Sequence, residues 1–78
     1  MFRQALFLSK VSHDMKRTLL IKHMKTNGCS LLREGKKHSI YINTVTGKMA
    51  AIPRHSDIND YLAAEICKEL EIPRIGNN

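Results

Sequence analysis

The chain is short of several things, and each shortage removes a class of function. Its 78 residues leave room for one domain with one modest core. An enzyme with a deep cleft is therefore excluded, and any chemistry falls to a few side chains on a shallow surface. There is no internal repeat and no low-complexity tract, which argues against a solenoid and against a disordered chain. No apolar run is long enough to cross a bilayer. The stretch of Phe2, Ala5, Leu6, Phe7, Leu8 and Val11 is only mildly apolar and has no clear small-residue cleavage site after it, so a signal peptide is the weaker reading. Cysteine is limited to Cys29 and Cys67, which form no CxxC motif. Together with His38 and His55 they lack the paired spacing of a zinc module. Two free thiols in a reducing cytosol are expected, with no metal and no cofactor.

Acidic residues are scarce where basic ones are dense. Thirteen Lys and Arg face seven Asp and Glu, for a net charge of +6. Between Met15 and Arg54 stand nine basic residues and a single acidic one, Glu34. From His55 onward the balance reverses, with Lys68 and Arg74 against Asp57, Asp60, Glu65, Glu69 and Glu71. A basic body with an acidic last helix implies one face that binds a polyanion, and nucleic acid is the expected partner.

Hydrophobic spacing predicts a helix over 16–27, with Leu20, Ile21 and Met24 on one stripe and Thr18 or Asp14 at its start. Asn27-Gly28 ends it, with Gly28 in the left-handed position. Three short strands follow: Cys29–Arg33, His38–Asn43 and Lys48–Ile52, the last stopped by Pro53. Turns over 34–37 and 43–47 imply an antiparallel meander. After a loop at 54–58, a second helix is predicted from Asn59 to Leu70, capped by Asp57 or Asn59, with Leu62, Ala63, Ile66, Cys67 and Leu70 as its buried stripe. Met15 is read as the natural start, residues 1–14 as an extension, 15–72 as the domain and 73–78 as a tail. The fold class is α+β with the order α-β-β-β-α. Two helices on one face of a three-stranded antiparallel sheet is the double-stranded-RNA-binding arrangement.

The segment Gly35-Lys36-Lys37-His38 puts two lysines in a turn and a histidine at the mouth of a strand. That arrangement suits RNA cleavage. The 2′-hydroxyl must lose a proton as it attacks phosphorus, and imidazole titrates near neutral pH. The charge that builds on the phosphorus oxygens is stabilised by nearby ammonium groups, and no metal is needed. The alternative is structural: alternation places His38 on the side of Ile40 and Ile42, expected to be core, so it is equally readable as a rim histidine. Tyr41 then faces the other way, where it either stacks on an unpaired base or covers the sheet. Arg33, Lys36, Lys37 and Arg54 are the expected phosphate contacts. His55 is either a second proton-transfer group or a loop histidine at the entry to the last helix. His13 and His23 are expected at the surface.

Five ordered segments, Asn27-Gly28-Cys29, Arg33 to Tyr41, Asn43 to Lys48, Ile52-Pro53-Arg54-His55 and Ile58-Asn59, resemble the HicA family of RNA-cleaving toxins. The opening Met15-Lys16-Arg17 with Leu20-Ile21-Lys22 is similar to the usual start of those proteins, and the likeness runs to about Ile72. It implies a double-stranded-RNA-binding-like fold, endonuclease activity on mRNA, a bacterial cytoplasmic location and a HicB-type antitoxin that covers the active site. The family's catalytic histidine follows a glycine in the turn between the first and second strands, a position held here by His38. The usual form has one small residue between glycine and histidine, whereas this chain has two lysines, so its turn is one residue longer. Two rivals stand beside the toxin: a non-catalytic RNA-binding module of the same fold, and a structural subunit that only docks another protein.

Overall fold

A computed structural model describes residues 14–75. The chain forms β1 (Asp14–Lys16), α1 (Arg17–Thr26), β2 (Cys29–Glu34), β3 (His38–Asn43), β4 (Met49–Pro53), β5 (Asp57–Asn59) and α2 (Asp60–Glu69). β2, β3 and β4 make an antiparallel sheet with β3 in the middle. The α-β-β-β-α order and the α+β class are as the pattern predicts. The small antiparallel ribbon of β1 and β5 is an addition that it does not predict. This ribbon turns the expected loop at 54–58 partly into strand and sinks Ile58 to 1% exposure. Asp14, expected to close an N-terminal extension, pairs with Asn59.

Helix α1 begins at Arg17, and neither Asp14 nor Thr18 caps it. Lys16 holds the N-cap without a side-chain hydrogen bond. The reason is that Asp14 and Lys16 are already committed to β1. The Arg17 amide instead donates to the Ser56 carbonyl at 2.8 Å, which ties the helix start to the loop before β5. Leu20 and Met24 are buried. Gly28 takes φ +87 after the last turn, as a left-handed terminator requires.

Helix α2 starts where expected: the Asn59 side chain accepts from the Tyr61 amide at 2.7 Å. Its buried stripe is Ala63, Ile66, Cys67 and Leu70, a run at i, i+3, i+4 and i+7. Leu62 is not part of it and is 39% exposed, because the stripe centres one residue further on. The helix closes through the Glu71 amide to the Lys68 carbonyl and the Ile72 amide to the Cys67 carbonyl. Those two bonds form a Schellman motif. Its left-handed residue is Glu71, at φ 58, where glycine is the usual occupant. His23, expected at the surface, is half-buried and donates from Nε2 to the Pro73 carbonyl at 2.6 Å, so α1 holds the segment after α2.

The two faces of β3 are the reverse of expectation. Ser39, Tyr41 and Asn43 are buried, while His38 is exposed and Ile40 and Ile42 are half-buried. Cross-strand pairs share a face. Tyr41 opposite Ala50 and Ser39 opposite Ile52 therefore build the covered side. Ile40 opposite Ala51 and Ile42 opposite Met49 build the open one. Apolar content alone favours the isoleucines as core. The polar side chains of the covered face are satisfied there: Ser39 donates to Glu34 and accepts from Arg17. The Asn43 amide donates to the Leu70 carbonyl at 2.7 Å and its oxygen accepts from the Val45 amide at 2.9 Å. Both helices lie over this side, with Leu20, Met24, Ile66 and Leu70 joining Tyr41 and Ile52 in one core. A register shift between Leu31 and Arg33 bulges β2 and leaves Leu31 and Leu32 both exposed on an edge strand.

Cys29 and Cys67 are free and buried. Burial pushes both thiols above their ordinary value of 9.0. Among the described residues no helix is long and apolar enough to cross a membrane.

Candidate functional site

The hairpin from β2 to β3 narrows at Gly35, whose amide donates to the His38 carbonyl at 2.8 Å. Only Lys36 and Lys37 lie beyond that bond, so the expected four-residue turn is two residues long and both lysines stand exposed at its tip. A Cβ on Gly35 would sit 3.1 Å from the His38 carbonyl oxygen. Glycine is therefore the residue that fits the neck without displacement.

His38 opens β3 opposite Pro53 and is exposed on the uncovered side of the sheet. The reversal of faces decides this: the isoleucine side is the open side, so His38 is not a rim group of the core. Among the described residues its ring makes no hydrogen bond. Arg33 pairs with Ile40 and is exposed. It lies on the same face as His38, diagonally across the strands, where separations are about 7–8 Å and long side chains still meet. Arg33, Lys36, Lys37 and His38 thus share one end of the sheet. His55 is exposed on the loop that leaves Pro53 at that same end. Lys48 lies at the opposite end, beside the Thr44–Gly47 turn.

Base stacking by Tyr41 is the expectation that fails. Tyr41 is 5% exposed, in the core between the sheet and the helices. It cannot stack on a base, because the face it occupies is the covered one. The exposed tyrosine is Tyr61, on the first turn of α2. Arg54 is at the hairpin end and part-exposed, with one guanidinium nitrogen engaged. Nη2 donates to Glu34 Oε1 at 2.6 Å and to the Gly35 carbonyl at 2.5 Å.

A hydrogen-bonded group beneath the hairpin escaped the reading of the sequence. Ser39, 1% exposed, donates from Oγ to Glu34 Oε1 at 2.7 Å. Arg17 donates from Nη2 to Ser39 Oγ at 3.0 Å and from Nε to the Pro53 carbonyl at 2.7 Å. Arg17, Ser39, Glu34 and Arg54 form one continuous chain from α1, through the sheet, to the loop after β4. The signal available in the sequence was Glu34 itself, the lone carboxylate in a basic stretch of forty residues, from Met15 to Arg54.

Among the described residues no three His, Cys, Asp or Glu side chains gather into a metal-holding group. No family model, curated protein or solved structure matches the chain.

Proposed function

We propose that this protein is an RNA endonuclease of the HicA toxin type, with His38 as its general acid or base. The observation that carries the reading is the exposure of His38 at the end of β3, beside a two-lysine hairpin tip and on the uncovered face of the sheet. An exposed imidazole can take the proton of an attacking 2′-hydroxyl, or return one to the leaving oxygen. Lys36, Lys37 and Arg33 supply positive charge where the phosphorus oxygens gain negative charge. His55 lies at the same end and is the candidate for a second proton-transfer group. The mRNA substrate binds through this basic end, and a HicB-type antitoxin with an acidic surface neutralises the toxin by covering it in the bacterial cytoplasm.

The test is induced expression in a bacterial host of the wild type beside His38→Ala, with mRNA integrity followed over time. Growth arrest and mRNA loss are expected from the wild type alone. In purified form His38→Ala is expected to cut RNA at least about 100-fold more slowly, the usual contribution of a proton-transfer group, while binding RNA as before. Soluble wild type that leaves mRNA intact but binds RNA in a salt-sensitive way would identify a non-catalytic RNA-binding module instead.

A further inference from the structure

The side chain of His38 is not held by any hydrogen bond among the described residues, yet its backbone surroundings are tied down on every side. Its hairpin partner is Gly35, the next residue is Ser39, and its cross-strand partner is Pro53. Each of these three is gripped by the same small group. Arg54 donates to the Gly35 carbonyl. Arg17 donates to the Pro53 carbonyl at 2.7 Å and to Ser39 Oγ at 3.0 Å. Glu34 Oε1 joins the two halves, accepting from Ser39 at 2.7 Å and from Arg54 at 2.6 Å.

We infer that Glu34 is the positioning residue of the His38 hairpin, acting through Ser39 and Arg54, and that Arg54 serves this frame and does not bind phosphate. The inference rests on the nuclease reading above for its effect on turnover. Three observations converge on it. Glu34 sits directly opposite Ser39 in the strand register, so its carboxylate is on the covered side, away from the face that His38 presents. It therefore acts on His38 only through the backbone. A carboxylate in a basic, polyanion-binding region opposes RNA binding by charge, so its place there needs a compensating role. Its pairing with Arg54 offsets one positive charge of the hairpin end, while among the described residues Arg33, Lys36 and Lys37 have no ion-pair partner and stand exposed there. A buried serine that donates to a carboxylate while accepting from an arginine is also directional: the hydroxyl proton can point only one way, which fixes the rotamer of Ser39 next to His38.

The experiment uses the full chain, a short RNA carrying a fluorophore and a quencher, and the variants Glu34→Ala and Glu34→Gln. Glu34 is half-exposed in its side chain, so both variants are expected to fold, and melting curves check this. In Glu34→Ala, kcat is expected to fall about tenfold with KM changed less than about twofold, the pattern of a lost transition-state geometry without lost substrate binding. Glu34→Gln keeps an acceptor for Ser39 and is expected to recover part of the loss. The slope of log Kd against log salt is expected to be the same for Arg54→Gln as for the wild type, since a phosphate contact would lower it by about one. A kcat for Glu34→Ala within about twofold of wild type, or a loss that lies wholly in KM, overturns the inference. So does a lowered salt slope for Arg54→Gln. If the wild type cuts no RNA, the nuclease reading fails on its own, and amide exchange then decides the positioning role. The Gly35 amide is expected to exchange about tenfold faster in Glu34→Ala while the Ile52 amide is unchanged; equal Gly35 exchange in both proteins overturns it.

Discussion

The two ends of β3 both bury a polar side chain on the covered face of the sheet, and they use it differently. At one end Asn43 makes neutral hydrogen bonds: it donates to Leu70 at 2.7 Å and accepts from the Val45 and Thr46 amides at 2.9 and 3.3 Å. It closes the last turn of α2 and the Thr44–Gly47 turn together, and nothing nearby is arranged for chemistry. At the other end Ser39 is held between Arg17 and Glu34, and the residues around it leave a histidine and two lysines facing solvent. One end is closed by satisfied amides that join a strand, a turn and a helix. The other is braced by charges from below so that its upper face stays open. On the proposed nuclease reading, a domain too small for a deep cleft places its reactive groups on a surface and fixes the backbone behind them.

The comparison is sharpened by removing each polar anchor in turn. Asn43→Ala leaves the Leu70 carbonyl and two turn amides without their partner, and a loss of about 2–4 kcal/mol in unfolding free energy is expected by urea titration. Asn43→Asp should cost at least as much, because a carboxylate would face both that carbonyl and the negative end of α2. A loss below about 1 kcal/mol for both would show that the helix end does not depend on this side chain. Ser39→Ala is expected to cost less, about 1–2 kcal/mol, since Glu34 and Arg17 can turn to solvent. A larger loss than at Asn43 would invert the comparison.

A smaller effect, of opposite sign, is expected after α2. Glu71 holds the left-handed position of the Schellman motif at φ 58, a conformation that costs an L-residue about 1 kcal/mol and glycine almost nothing. Glu71→Gly should therefore raise stability by up to about 1 kcal/mol, seen as a higher melting temperature; a lower one would mean that Glu71 makes contacts that outweigh its backbone strain.

The smallest effect concerns the thiols. Burial raises Cys29 and Cys67 above 9.0 in the folded chain, so the unfolded chain loses these protons first as pH rises. The stability they contribute is complete below about pH 9 and fades as pH climbs through the folded values. The urea midpoint should decline from pH 8 to pH 10, less steeply in Cys29→Ala/Cys67→Ala. An equally steep decline in the double variant would assign the alkaline loss to other groups.

Much of this was legible in the residues. The spacing of Leu20 and Met24, the Asn27-Gly28 stop, the Pro53 stop and the Asn59 cap locate five of the seven elements among the described residues. The basic turn before His38 marks the end of the sheet where chemistry is proposed. The β1–β5 ribbon was not legible, because a pairing of two three-residue strands more than forty residues apart leaves no local pattern. Which face of β3 is covered is not legible for a related reason. Alternation says that His38, Ile40 and Ile42 share a side, but not which side the helices cover.

By itself, then, the sequence determined the order of elements, the positions of their ends and the uneven distribution of charge, since these follow from local spacing and from residue chemistry. Only the tertiary structure decided that Tyr41 is core, that His38 faces solvent and that Glu34, Ser39, Arg17 and Arg54 meet. The physical reason is that covering one face of a sheet is a choice among whole arrangements. Here the covered face carries Ser39 and Asn43, whose polar atoms are satisfied by Glu34 on the neighbouring strand, by Arg17 on α1 and by the Leu70 carbonyl at the end of α2.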